Sequence, residues 1–193
     1  MKQVLDQPPI SGNRNTKNLR NILMPSSLPQ KQDTNPGCFK CNRSKCIICK
    51  LHFSETEKFE SCRTKEVFNM REKFTCDSKN LIYLISCKKC KNAQYVGQTE
   101  QSLRDRFYLH RSDIDLNRGT PLTCHFNEND HTLRDMQCCI VERVFGTTLQ
   151  DREDREDFWI DKLKTLAPFS LDVERTEKNK KKYQKTVSLK HKQ

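Results

Sequence analysis

The chain has 193 residues, of which 34% are hydrophobic and 32% charged, so it can form one modest core with further segments attached. Its net charge of +11 favours a polyanionic partner. Nucleic acid is preferred to a membrane, because no apolar run approaches the roughly 18 residues that span a bilayer. The alternative is a basic surface that serves only solubility. The N-terminus lacks an apolar signal-peptide core, and the 11 cysteines are therefore expected to stay reduced and to bind metal.

Four segments follow one another along the chain. Residues 1–36 hold most of the prolines and are predicted to be a linker or disordered segment. A Cys-rich segment spans 37–78, and a compact domain is predicted at 79–172. The lysine-rich residues 173–193 are predicted to be a basic disordered tail, in which the run Lys180-Lys181-Lys182 is a weak nuclear-import signal.

Apolar periodicity predicts three strands and two helices in the compact domain. The strands are predicted at LIYLIS (81–86), QYVGQT (94–99) and MQCCIVERVF (136–145), and the helices at 100–114 and 149–166. The first two strands should form a hairpin, and Thr99 is the expected N-cap of the first helix. This order predicts an α+β fold, with a small three-stranded antiparallel sheet flanked by helices and a zinc-binding insertion in the hairpin.

Two cysteine patterns predict metal sites. The CxxC-x4-CxxC run of Cys38, Cys41, Cys46 and Cys49 is a candidate second zinc site, with His52 as a substitute ligand. A metal-free, flexible patch is the alternative there, because the link between the two pairs is short for a zinc ribbon.

The second pattern lies in and after the hairpin connector. Cys87 and Cys90 form a CxxC pair, and His125 and His131 follow downstream. Two thiolates and two imidazoles make an ordinary tetrahedral zinc site, which would help to stabilise a domain with a small core. Cys124 could compete with His125, and both histidines could instead be loop residues without a ligand role.

Several residues of the compact domain are suited to phosphodiester chemistry. Arg106, His110 and Asp113 share a helix face beside the two strand tyrosines, and Gly97 would allow close approach of a phosphate or another chain. Glu156 falls on the apolar stripe of the second helix. A carboxylate there needs a partner, which is either a divalent metal ion or a neighbouring arginine.

These elements together resemble the GIY-YIG endonuclease family over roughly residues 80–172. The CxxC between the tyrosine strands and the downstream histidine pair narrow the resemblance to the endonuclease of Penelope-like retrotransposons. The resemblance implies that Tyr83 and Tyr95 help to activate the attacking water, and that Arg106 contacts the scissile phosphate. It also implies that His110 assists as base or orienter, and that Glu156 holds a catalytic Mg²⁺ or Mn²⁺.

Two motifs depart from the family's pattern. Leu81 replaces the first glycine, and the segment that ends at Asp172 lacks the glycine and the final asparagine of a Pro-x-Gly-Leu-Asn motif. The loss of this glycine and of the final asparagine is expected to affect local packing and activity.

The sequence therefore predicts a metal-dependent DNA endonuclease derived from a retroelement, of which the chain would be at most the terminal part. DNA is the expected partner, together with a reverse transcriptase from the parent element. The expected location is the nucleus, with no membrane partner and no small-molecule cofactor. The alternatives are a zinc-bearing nucleic-acid-binding module without catalysis and a truncated retroelement relic.

Overall fold

The computed structural model describes residues 35–128, 130–146, 148–167 and 170–173. The predicted linker up to residue 34 and the tail from residue 174, with Lys180, Lys181 and Lys182, lie outside the described residues. In chain order the elements are β1 (Gly37–Cys38), α1 (Ile47–Leu51), β2 (Lys58–Glu60), β3 (Val67–Asn69), β4 (Lys73–Phe74), β5 (Leu81–Cys87), β6 (Gln94–Thr99), α2 (Leu103–Asp115), α3 (Pro121–Asn127), a 3₁₀ turn (Leu133–Asp135), β7 (Met136–Arg143) and α4 (Leu149–Leu163).

The predicted α+β fold with a three-stranded antiparallel sheet is confirmed. Strand β5 lies in the centre of the order β6–β5–β7 and is antiparallel to both neighbours. All but one of its seven residues are buried, which explains why LIYLISC is apolar almost throughout rather than alternating. No helix among the described residues has the length and apolar character to cross a bilayer.

Local capping fixes where the two long helices begin. Ser102, and not the predicted Thr99, caps α2 by accepting a hydrogen bond from the Asp105 backbone N–H, because Thr99 is the last residue of β6 and pairs with Leu81. Helix α4 begins after a capping box at Thr148 and ends at Leu163, three residues earlier than predicted.

The Cys-rich segment shares one core with the sheet. Two short sheets form there, from the parallel pair β1–β4 and the antiparallel pair β2–β3. Ile48, Phe59 and Phe74 are buried in the same apolar cluster as the strands of the main sheet. Phe59 also packs edge-on against Trp159 of α4, with the two ring centroids 5.3 Å apart. The segment therefore contributes to the stability of the sheet and its helices.

Strand β6 lies at the edge of the sheet, and side chains from the C-terminal part of the fold cover its open side. Three outward backbone N–H groups of the strand donate to side-chain oxygens, in the pairs Gln94–Ser170 (2.8 Å), Val96–Asp172 (2.9 Å) and Gln98–Glu156 (3.1 Å). An edge strand otherwise presents unpaired backbone groups to other chains. Glu156 and Asp172 therefore each have a structural contact at this edge.

Candidate active site and metal clusters

Three of the predicted site residues form a hydrogen-bonded chain under the sheet. Tyr83 lies in the central strand β5 with none of its surface exposed. Its hydroxyl lies 2.6 Å from His110 Nε2 and accepts a hydrogen bond from Arg106 Nε at 3.0 Å. Arg106 and His110 are one turn apart on α2, so the two side chains reach Tyr83 from the same side of the helix.

The charge state of His110 bears on which groups donate and which accept in these hydrogen bonds. Burial, followed by the nearby Arg106 charge, holds the pKa of His110 well below its usual range, so the imidazole is neutral near pH 7. An arginine can only donate hydrogen bonds, whereas a neutral imidazole nitrogen can accept one. The Tyr83 hydroxyl therefore accepts from Arg106, and it can donate to His110 in the tautomer whose Nε2 carries no proton.

The neighbouring strand β6 completes the surroundings of Tyr83. The Tyr95 ring centroid lies 6.4 Å from that of Tyr83 and 5.7 Å from that of His110. Gly97 pairs with Tyr83 across the strands, and a Cβ at Gly97 would overlap the Tyr83 ring and hydroxyl. The close approach that Gly97 permits is therefore that of Tyr83, and not of a phosphate or another chain as the sequence led us to expect.

Glu156 lies beside the same pair of strands. Its carboxylate accepts the Gln98 backbone N–H at 3.1 Å, and Gln98 directly follows Gly97. One turn earlier on α4, Nε of the buried Arg152 donates to the side-chain oxygen of Gln98 at 3.2 Å. The remaining predicted member of the helix face, Asp113, forms an ion pair with Arg118 at 2.9 Å.

The predicted ligands Cys87, Cys90, His125 and His131 come together. Their potential ligand atoms all lie within 4.8 Å of one another. Cys90 Sγ and His131 Nε2 are 3.1 Å apart, and His131 Nδ1 lies 3.0 Å from the Glu128 carbonyl oxygen. Such a backbone contact at one ring nitrogen orients the other toward a metal ion. Cys124, the competing thiol, is not in the cluster that the described residues form.

The electrostatics of this cluster suit a cation. His125 Nε2 is buried without a hydrogen-bond partner among the described residues, which is costly unless something else binds it. Burial, and then the neighbouring His131, lowers the pKa of His125, and the neutral imidazole is the form that binds metal. Burial, and then the adjacent Cys87, raises the pKa of the Cys90 thiol, an effect that a divalent cation would reverse.

A second cluster forms from four cysteines, and its membership corrects the prediction from the CxxC pattern. Cys41, Cys46, Cys49 and Cys76 have sulfur atoms within 4.8 Å of one another and could hold a metal ion. The Cys49 and Cys76 sulfurs are 3.4 Å apart. Cys76 follows β4, and the parallel pairing of β4 with β1 brings this distant cysteine close to Cys41, Cys46 and Cys49.

Cys38 and His52 are not ligands of this cluster. Cys38 lies in β1 with its sulfur against the backbone of β7, 3.3 Å from the Ile140 nitrogen and 3.7 Å from its carbonyl oxygen. Burial raises the pKa of its thiol to about 12. The ring of His52 packs on Phe107, and its Nδ1 contacts the Met136 carbonyl oxygen at 2.9 Å.

Arg104 of α2 contacts the four-cysteine cluster, a contact that no sequence motif indicates. One terminal nitrogen donates to the sulfurs of Cys76 and Cys41, at 3.0 and 3.5 Å. Burial opposes ionisation of the Cys46 thiol. The Cys49 backbone N–H and the Arg104 guanidinium outweigh that effect and lower the pKa of Cys46 to about 6.

The pKa values of the other two buried thiols shift in the opposite direction. Burial is the largest cause that raises the pKa of Cys49, to about 11, and of Cys76. Four thiols this close cannot all ionise unless a cation neutralises them, so the cluster has the properties of a metal site.

Comparison with known proteins adds no assignment. No protein-family model, curated protein or solved structure matches this chain.

Proposed function

We propose that the protein is a metal-dependent DNA endonuclease of the GIY-YIG type, which nicks DNA by hydrolysing a phosphodiester bond. The observation that carries this proposal is the contact of the Tyr83 hydroxyl with both Arg106 and the neutral His110. That contact joins a cation suited to a phosphate with a group able to accept a proton. The net charge of +11 supports DNA as the partner.

The residues divide the reaction between them. Arg106 and Tyr95, which are partly exposed, form the side that DNA reaches, and the guanidinium meets the negative charge that gathers on the phosphate. As the water oxygen bonds to phosphorus and the bond to the leaving oxygen breaks, the water proton passes through the Tyr83 hydroxyl to His110 Nε2, and the leaving oxygen takes up a proton from solvent. His110, whose pKa is low, then returns its proton to solvent. Arg106 Nε, which already donates to Tyr83, stabilises the phenol oxygen during this transfer.

Glu156 would hold the divalent metal ion. Mg²⁺ is usually bound through one or two carboxylates together with substrate phosphates, so a single protein carboxylate fits it. The Gln98 N–H orients one carboxylate oxygen, and a carboxylate accepts more than one such contact. A bound Mg²⁺ would supply positive charge to the phosphate and the leaving oxygen.

We further propose that both clusters hold structural zinc. The two thiols and two imidazoles at residues 87–131, and the four thiols at residues 41–76, are both ligand sets of known structural zinc sites. Two observations support this assignment. His125 Nε2 is buried without a hydrogen-bond partner among the described residues, and the pKa values of Cys46 and Cys76 shift in opposite directions.

Nicking of supercoiled plasmid by the full chain, with Mg²⁺ or Mn²⁺, tests the catalytic proposal. We expect Arg106→Ala, Tyr83→Phe and Glu156→Gln each to slow nicking by about 10²–10³. Glu156→Gln is the sharpest variant, because glutamine retains an oxygen that can accept the Gln98 N–H while removing the charge that a metal needs.

The matched control is Glu153→Gln, the same change one turn earlier on the same helix. DNA affinity should stay near that of the parent in every variant, and thermal unfolding should stay near that of the parent in Glu156→Gln and Glu153→Gln. Parent-like nicking by Glu156→Gln would make the carboxylate only a structural acceptor at the β6 edge. A parent that binds DNA without ever nicking it would favour the zinc-bearing binding module.

A further inference from the structure

Arg104 occupies an unusual place for a cation. It is the second residue of α2, where the helix dipole disfavours positive charge. Only about a tenth of its side chain is exposed, so the charge needs nearby anions. One terminal nitrogen pairs with Asp77 at 2.6 Å, and the other donates to the sulfurs of Cys76 and Cys41.

The backbone of the same helix turn is attached to the same segment. The Arg104 N–H donates to the Cys76 carbonyl at 2.9 Å, and the Leu103 N–H donates to the Ser78 carbonyl at 3.1 Å. The first turn of α2 is thus held on the cluster by both side chain and backbone. Arg106 is two positions further on, and residues so spaced point to different sides of a helix. The start of α2 therefore lies between the cluster on one side and Tyr83 on the other.

We propose that Arg104 couples metal binding at the four-cysteine cluster to the position of the active-site helix. Four metal-bound thiolates outweigh a divalent cation by two negative charges, and Arg104 offsets part of that excess. Loaded with metal, the cluster holds the guanidinium, and the guanidinium holds the first turn of α2 where Arg106 reaches Tyr83. Arg104 is thus a positioning residue, and this inference rests on the proposed endonuclease activity only for its effect on nicking.

Coupling between two sites is reciprocal, so the residue affects metal affinity as well as helix position. Neighbours that contact metal ligands typically change metal affinity by about 10–100-fold when they are removed. The same change should therefore be visible without any substrate, in metal binding and in the protection of the α2 backbone.

The test compares Arg104→Met, Arg104→Lys and the control Arg118→Met in the full chain. Arg118 pairs with Asp113 near the other end of α2, so its variant removes one positive charge at a distance from the cluster. Co²⁺ titration separates the two sites, because four-thiolate and mixed thiolate–imidazole sites have different absorption spectra. Amide hydrogen exchange of residues 103–106 and nicking kinetics complete the measurement.

For Arg104→Met we expect about 10–100-fold weaker Co²⁺ binding at the four-thiolate site, with unchanged binding at the other site. Exchange at residues 103–106 should quicken, and kcat for nicking should fall while KM for DNA stays constant. Arg104→Lys should recover part of the metal affinity, because one ammonium retains the charge but cannot match the two-sided contact of a guanidinium. Arg118→Met should behave as the parent.

Parent-like Co²⁺ affinity and parent-like exchange in Arg104→Met would overturn the proposal. Should that variant not fold, Arg104→Lys takes its place, and parent-like values in both measurements would overturn the proposal equally. Neither measurement uses DNA, so a parent protein that fails to nick would contradict the endonuclease function and leave this inference to be decided by metal binding and exchange.

Discussion

Gly97 is where the packing of a single residue controls the candidate active site. Its lack of a Cβ makes room for the Tyr83 ring, which is buried and hydrogen-bonded to Arg106 and His110. We expect Gly97→Ala to lower the free energy of unfolding by about 1–3 kcal/mol through overpacking. It should also displace the Tyr83 hydroxyl, so that nicking per folded molecule falls as well. Chemical denaturation and a plasmid assay on the same samples would measure both.

Gly119→Ala is the control for this prediction. Gly119 has a positive φ of 68°, and a Cβ there would meet no heavy atom of the described residues within 4 Å apart from its chain neighbours, so alanine would cost stability through backbone strain alone. Nicking per folded molecule should then equal that of the parent. Equal activity losses in the two variants would mean that the Tyr83 contact is not what Gly97 protects.

Asp172 makes stability depend on pH. Burial raises the pKa of its carboxyl to about 7, against roughly 3.9 in an unfolded chain. A raised pKa means that the folded state binds the proton more tightly, so stability is full below about pH 4, falls as pH rises to 7 and is then constant. We expect Asp172→Asn to be more stable than the parent at pH 8, by at most about 4 kcal/mol, and by less at pH 5.5.

Urea unfolding of both proteins at the two pH values measures this difference. Asparagine keeps an oxygen for the Val96 N–H, which isolates the effect of the charge. Any loss of metal at low pH affects the parent and the variant alike, and so cancels. A stability difference that is the same at both pH values would mean that Asp172 ionises normally in the folded protein.

At the scale of elements, two variants distinguish between the candidate ligand sets of the four-cysteine cluster, one of which includes Cys76 and the other Cys38. Cys76→Ser should remove one equivalent of bound zinc from the purified protein, because a hydroxyl is a poor zinc ligand. Cys38→Ser should leave the zinc content unchanged, since the Cys38 sulfur lies against the backbone of Ile140 and outside the cluster that the described residues form. Native mass spectrometry of the two variants would count the ions. The opposite result would restore the ligand set expected from the CxxC spacing.

The elements also show which features the sequence could predict. Strand β5 is a continuous apolar run and helices α2 and α4 carry apolar stripes, and the three-stranded sheet that they predict is confirmed. The choice of Cys76 over Cys38 depends on the pairing of β1 with β4, two strands of two residues each, which are too short to have a periodic pattern. The N-cap at Ser102 was missed because Thr99 is as good a capping residue by type and is excluded only by its place in β6.

In the candidate site, too, some residues could be predicted from the sequence and others could not. Ligand chemistry and spacing led to Cys87, Cys90, His125 and His131, which the fold brings together. The role of Gly97 depends on which face of the hairpin carries Tyr83, and the contact of Arg104 depends on the ion pair with Asp77, and neither is visible as a motif. Long-range packing, rather than local pattern, decides both.

At the scale of the whole molecule, the two kinds of metal should have separable roles. Zinc removal with a selective chelator should unfold the Cys-rich segment and the sheet together, because they share one core and structural zinc contributes on the order of 10 kcal/mol. Mg²⁺-free buffer should leave circular dichroism and DNA binding unchanged while abolishing nicking. A cooperative thermal transition that persists at the same temperature without zinc would contradict the structural role of the clusters.

The ligands of the two clusters do not alternate along the chain. Every member of the four-cysteine set, from Cys41 to Cys76, precedes every member of the second set, from Cys87 to His131. During synthesis on the ribosome, the first set is therefore complete before β5 has been made. A metal ion captured at that stage would find no competing ligand from the second set. The order of ligands thus limits mismatched coordination during biosynthesis to choices among neighbouring cysteines.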